Sequence, residues 1–332
     1  MVLDKVVSEL WDLSLNKSTR NVYEAGFRAF KKFSDLYLFR SMCHTYPPVS
    51  EEILIYFVAH CFHFLHVKYS TIKTYLAGIR FAYIKAGFQD PCCFQNGLPY
   101  QRLKNILKAV KKSQDNVVKP RLPITAEILR KICNALRLGV FGPYEDLVLE
   151  TAFCLAFWGF LRCGEFTNQS STFDHNTDLT IGDIQMNMND RFFTLLLKRS
   201  KTDPFRKGIT IKYFATDHDI CPVHVMQSLL HTRNDMLAQS QDPLFTTRTG
   251  APLTRSFVID KLKILLLHLG YNPTLYSGHS FRIGAATTAA DAHIPDHMIR
   301  TMGRWNSDCY CRYIQTSPKA LQEAQQTMAL NF

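Results

Sequence analysis

"GHSFRIGAAT", residues 278–287, sets His279 and Arg282 three residues apart within a run of small and apolar side chains. On a helix that spacing puts both on one face. Two readings follow: a buried helix that carries two polar residues, or half of a site that holds a phosphate. The small residues Gly278, Gly284, Ala285 and Ala286 let another chain segment, or a nucleic-acid backbone, come close.

Three other segments carry polar residues of matching chemistry. In "FWGFLRCGEF" (157–166), Arg162 ends an apolar helix and Glu165 follows three residues on. A buried arginine is costly unless paired. The two form either a structural ion pair or a guanidinium fork aimed at a phosphate and backed by a carboxylate. "LLLKRSKTDPFRKG" (195–208) is a strand running into a basic turn. It is either a solvated hairpin tip or a device that brings one lysine, Lys201, into a groove as a proton donor. "MGRWNSDCYCRYIQTSP" (302–318) supplies the Trp305 indole donor and two phenols, Tyr310 and Tyr313.

The 332 residues allow about two domains at roughly 100–200 residues each. No apolar run approaches the ~20 residues of a membrane span, and the start is not a signal peptide. Ten scattered cysteines without a CxxC pair read as reduced thiols. His293 and His297 have helical metal-ligand spacing, but Pro295 lies between them and no Glu follows the first. No metal site is therefore expected. The net charge is +11 and uneven: residues 1–120 hold 17 Lys and Arg against 9 Asp and Glu, which is +8, leaving +3 for the rest. A basic front third points to an anionic partner such as DNA, RNA or a membrane surface, or to solubility alone.

The periodicity predicts a helical unit over residues 1–112. Its helices span 18–39, with Ser18 as N-cap and Val22, Phe27, Phe30 and Phe33 near one face, then 49–65, 69–87 and 101–114, the last short and basic. Residues 113–123, with prolines and no helical period, read as a linker. Beyond it come two helices, three short strands after residue 178, and further helices at 222–235, 253–270, 278–302, 303–315 and 318–330. The fold class is mainly α with a small antiparallel β-sheet.

Taken in order, Arg-x-x-Glu, a hairpin lysine, His-x-x-Arg, Trp and a Tyr eight residues later resemble the tyrosine recombinases, also called the phage integrase family. The wording "SKTDP", "GHSFRIGAATTAA" and "GRWNSDCYCRYI" is similar to the eukaryotic branch carried by Crypton and DIRS-like mobile elements. The resemblance covers residues 124–318 and extends to the front unit. It implies a SAM-like core-binding domain (1–112) that closes a clamp on double-stranded DNA, a catalytic domain (124–318), and a tail helix (319–332) that docks on a neighbouring protomer or packs on its own domain.

The resemblance also implies the roles. Arg162 and Arg282 clamp the scissile phosphate, and Glu165 supports the first. Lys201 protonates the leaving oxygen, His279 takes the position of the base, and Trp305 stands where members have His or Trp. Tyr313 is the nucleophile, with Tyr310 as the alternative because the Trp305–Tyr313 gap is one residue short. The implied activity is DNA cutting and rejoining through a 3′-phosphotyrosyl link, for mobile-element integration or excision, by a homotetramer on two DNA sites. Neither a metal, a nucleotide cofactor nor a membrane is implied, and the eukaryotic branch implies the nucleus. The alternatives are a domesticated DNA-binding protein that keeps the fold without strand transfer, a type IB topoisomerase, and a zinc enzyme built on His293 and His297.

Overall fold

The computed structural model describes residues 2–37, 46–94, 96–114, 121–200, 203, 207–315 and 318–329. The chain divides into two compact units, Met1–Val118 and Lys119–Phe332.

The first unit is helical: α1 (Val2–Leu13), α2 (Lys17–Tyr37), α3 (Glu51–His63), α4 (Tyr69–Lys85) and α5 (Gln101–Ser113). Phe30 and Phe33 of α2, Phe57 of α3 and Ile79 of α4 meet in its core. Val22 does not join them and is exposed, and Ser18 lies inside the first turn of α2 rather than capping it. Ser50 caps α3, accepting from the Ile53 N–H at 3.3 Å. The Glu51 carboxylate reaches across to accept from the Arg102 and Leu103 N–H groups at 2.8 and 3.2 Å. An acidic group at these orphan amides is favourable, and it fixes the start of α5, whose Lys104, Lys108 and Lys112 are exposed. The first helix, α1, was not distinguished in the sequence, and it has no buried residue.

The second unit begins with α6 (Ala126–Arg137) and α7 (Pro143–Trp158). A four-residue turn of helix, α8 (Cys163–Phe166), leads to the sheet β1 (Ile184–Asn187), β2 (Phe192–Leu197) and β3 (Ile209–Phe214). The sheet is antiparallel in the order β1-β2-β3, with Leu195 opposite Ile184 on one side and Ile211 on the other. Phe193, Leu195 and Leu197 point into the core while Leu196 faces out, the alternation a half-buried strand requires. Helices α9 (Pro222–Asp235), α10 (Arg255–His268), α11 (Ser280–Asp291), α12 (Asp296–Gly303) and α13 (Pro318–Ala329) complete the unit. The architecture is mainly α with a small antiparallel sheet, as the sequence pattern indicates. Among the described residues no helix is long and apolar enough to cross a membrane.

Two stretches differ from the periodic reading. The expected helix 278–302 is two helices, α11 and α12, separated where His293 takes a left-handed conformation (φ 57°) and Pro295 lacks a donor to continue the ladder. His293 and His297 therefore do not share one helix, and both are exposed. The expected helix 303–315 is only a 3₁₀ segment, Asp308–Arg312. The chain leaves α12 through Arg304 at φ 54° and is extended at Ser307 before that segment starts.

Of the expected linker 113–123, residues 115–120 lie outside the described residues. Ser113 ends α5, and Leu122 and Ile124 donate to the Leu275 and Ser280 carbonyls.

Candidate functional site

The small residues of 278–287 admit protein. A Cβ on Gly284 would lie 1.8 Å from the Ile124 carbonyl oxygen, and one on Gly278 would lie 2.5 Å from the Cys163 sulfur. Only hydrogen at those positions lets α11 close against the segment around Ile124 and lets the turn before α11 close against α8. This contact places Arg282, in the first turn of α11, beside the turn that carries Arg162.

Arg162 is not the end of the apolar helix. Helix α7 stops at Trp158, the chain turns through Phe160 at φ 49°, and Arg162 is the N-cap of α8. Its Nη1 donates to Glu165 Oε1 at 2.9 Å and its backbone N–H donates to Oε2, also at 2.9 Å. Two further partners hold this carboxylate. The Ser200 hydroxyl donates to Oε1 at 2.8 Å, and Arg304 Nη2 donates to Oε2 at 2.9 Å. Burial alone would push the Glu165 carboxyl up. The Arg304 charge, the Arg162 N–H, the Ser200 hydroxyl and the Arg162 charge outweigh it, and the carboxyl is held below its usual range.

Arg282 is fully buried and forms no ion pair among the described residues. Its two terminal nitrogens donate to the Phe160 and Gly303 carbonyls, while Nε has no hydrogen-bond partner among the described residues. Burial pulls its pKa down to about 9, and the Arg162 and Arg304 charges add to this. The guanidinium sits 4.4 Å from the Trp305 ring centroid and 5.9 Å from that of Tyr313. A cation on an aromatic face gains some attraction, but the cluster holds three guanidiniums and one carboxylate, which pairs with Arg162 and Arg304 only, so Arg282 lacks an anion.

The aromatic side of the cluster is compact. His279 stands at the N-cap of α11, with its ring 5.1 Å from that of Tyr313. Trp305 lies 5.2 Å from Tyr313 and 6.1 Å from Tyr310. The buried Trp305 Nε1 has no hydrogen-bond partner among the described residues. The two phenols are in different settings. Tyr310 is buried, and a hydrogen bond to Asp296, with burial behind it, pushes its hydroxyl pKa up. Tyr313 is half-buried, and its carbonyl accepts from the Thr287 hydroxyl at 3.3 Å.

Of the basic run after β2, two members are anchored. Lys198 pairs with Asp183 at 2.7 Å and Arg199 with Asp178 at 2.8 Å. Lys201 lies outside the described residues. Ser200, immediately before it, reaches Glu165, so the hairpin is tied to the cluster at that point. The structure thus brings Arg162, Glu165, His279, Arg282, Trp305 and Tyr313 together, and adds Ser200 and Arg304. Among the described residues no group of three or more His, Cys, Asp and Glu could hold a metal ion.

No protein-family model and no curated protein matches the chain. Solved structures do. XerH site-specific recombinase bound to its palindromic difH substrate, in a post-cleavage complex, superposes with a TM-score of 0.61 at 16% identity, over 92% of this chain and 78% of that one. The Tn1549 transposon integrase in complex with transposon right end DNA gives 0.59 at 14% identity, over 97% and 99%. A lambda integrase dimer bound to a core site gives 0.53 at 15% identity, over 94% and 76%.

The fold is that of the tyrosine recombinases.

At such identities the likeness is one of backbone architecture, and it spans both units. The chemistry of the tyrosine-recombinase fold rests on which side chains occupy its pocket, and function must be argued from them.

Proposed function

We propose that the chain is a tyrosine recombinase: a site-specific DNA strand transferase that cuts and rejoins double-stranded DNA through a 3′-phosphotyrosyl intermediate. One observation carries the reading. Arg162 and Arg304 pair with the Glu165 carboxylate, while the buried Arg282 guanidinium, which has no ion-pair partner among the described residues, lies 5.9 Å from the ring of the half-buried Tyr313. Such a pocket favours a phosphodiester. Guanidinium donors stabilise the charge that builds on the non-bridging oxygens as the phosphorus is attacked.

The steps balance without an outside energy source. The Tyr313 oxygen attacks phosphorus, and its proton passes to His279, whose ring adjoins it. A free phenol has a pKa near ~10, so such help is needed. The P–O5′ bond breaks, and the departing oxygen takes a proton from Lys201. Trp305 Nε1–H is placed to give a phosphate oxygen one hydrogen bond. A 5′ hydroxyl from another strand then reverses the sequence on a new partner, which conserves the phosphodiester bond energy. Tyr313 rather than Tyr310 fits the nucleophile, because Tyr310 is buried with its proton held by Asp296. In this reading the first unit's basic helices meet phosphates, the working assembly is a tetramer on two DNA sites, and α13 docks on a neighbour through exposed Leu321 and Met328. A role in mobile-element integration or excision, within the nucleus, belongs to the same proposal.

The second reading, a DNA-binding protein that has kept the fold and lost strand transfer, draws on the full burial of Arg282, whose guanidinium lies against the rings of Trp305 and Tyr313.

Covalent trapping decides between them. The protein is incubated with nicked duplex carrying the sequences that flank its own gene, with chelator present, and run on a denaturing gel. The expected result is a protein–DNA adduct that disappears in Tyr313→Phe and persists in Tyr310→Phe. Salt-sensitive DNA binding without any adduct would favour the second reading or a different DNA site.

A further inference from the structure

Arg304 has no role in the sequence pattern, yet its side chain bridges two parts of the site. It is the left-handed residue that closes α12, at φ 54° and ψ 47°. Its N–H donates to the Thr301 carbonyl at 3.0 Å, and the Trp305 N–H donates to that of Arg300 at 3.0 Å. This paired closure of a helix is usually made with glycine, because a side chain in the left-handed region costs about 1–2 kcal/mol. An arginine there is an observed departure from the local preference, and such departures gather where the side chain is needed.

The side chain crosses to the other half of the pocket. Arg304 Nη1 donates to the Gly159 carbonyl at 2.8 Å and Nη2 to Glu165 Oε2 at 2.9 Å, with only 11% of the side chain exposed. Its neighbour Gly303 supplies one of the two carbonyls that hold Arg282, and the Phe160 carbonyl, 3.5 Å from Arg304 Nη2, supplies the other. One side chain therefore joins the turn that carries Trp305 and accepts from Arg282 to the carboxylate that orients Arg162.

Resting on the strand-transfer reading, we propose that Arg304 is a positioning residue for that reaction: it holds Glu165 in the orientation that aims Arg162, and so sets the spacing of the two phosphate-clamping arginines. It touches no DNA and acts through Glu165. Lysine cannot replace it, because one ammonium cannot meet the Gly159 carbonyl and the Glu165 carboxylate with the geometry of a planar fork.

The test uses full-length protein and the nicked duplex at saturating concentration. Arg304→Lys keeps the charge, and Arg304→Gly relieves the left-handed backbone, so the two variants carry different structural liabilities. Thermal unfolding and DNA affinity are measured alongside the adduct rate. Both variants are expected to bind DNA within about twofold of the unaltered chain and to form adduct about 10–100-fold more slowly. In an Arg162→Ala background the further loss from Arg304→Lys should fall below about threefold, because residues acting as a unit are not additive. Adduct formation at the unaltered rate in both variants would overturn the role given to Arg304, as would full multiplication of the two defects. Absence of adduct from the unaltered chain would instead overturn the strand-transfer reading, and this role with it.

Discussion

The guanidinium of Arg282 lies against the face of Trp305, 4.4 Å from its ring centroid, and the buried Trp305 Nε1 beside it has no partner among the described residues. A buried N–H without an acceptor costs about 1–3 kcal/mol. That cost is removed if a phosphate oxygen enters the pocket and accepts. Trp305→Phe keeps a ring over Arg282 and loses the donor together with the bulk of the second ring. The lost packing costs stability while removal of the unpaired N–H restores some, so denaturant unfolding should change by less than about 2 kcal/mol, and adduct formation should slow by at least about tenfold. Trp305→Ala loses the ring as well and should cost about 3–5 kcal/mol. If Trp305→Phe formed adduct at the unaltered rate, the indole N–H would have no part in the chemistry.

Glu165 gives the site a pH signature. Its carboxyl is held below the usual carboxylate range, because Arg304, Arg162 and Ser200 favour the ionised form more than burial opposes it. The stability it contributes is fully present above the ordinary glutamate value of about 4.3, and it is lost as pH falls through the lower folded value. Glu165→Gln leaves three guanidiniums without a counter-charge and should cost about 3–5 kcal/mol at pH 7. The gap between the two proteins should narrow as pH is taken below about 4. A gap that stayed constant from pH 7 to pH 3 would show that the carboxylate's charge is not what holds the cluster.

Much of the site could be read from side-chain identity and spacing, since Arg162 with Glu165, and His279 with Arg282, are each three apart on the chain. Arg304 was not legible, because its importance comes from a left-handed backbone and a partner 139 positions away. Neither leaves a period in the sequence. Ser200 lay unnoticed between Arg199 and Lys201 in a run read for its charge, although its hydroxyl is what reaches Glu165. The helices with a strong apolar face, such as α5 and α6, were legible for the opposite reason: burial of one face writes a period of 3.6. The stretch 303–315 misled because Trp305, Tyr310 and Tyr313 fall at near-helical intervals, while the rings gather through a left-handed turn and a 3₁₀ segment instead. The small residues around Arg282 could be read for close approach, but not for what approaches; Ile124 and Cys163 do.

The basic charge of the front unit has a local form that can be tested. Lys104, Lys108 and Lys112 recur every four residues along α5 and are all exposed, so they form one stripe. Glu51 pins the first turn of that helix through the Arg102 and Leu103 amides, which gives the stripe a fixed base. If it lies along a DNA backbone, each lysine displaces about one condensed counterion, and the slope of log affinity against log salt carries about 0.9 per contact. Replacing all three by alanine should then weaken DNA binding at moderate salt and flatten that slope by about 2–3. Because phosphate contacts carry no base information, the loss should be equal for specific and unrelated duplexes. The measurement is a salt titration of affinity for both proteins on both duplexes. An unchanged slope would place the DNA elsewhere on the unit and leave the lysines to solubility alone.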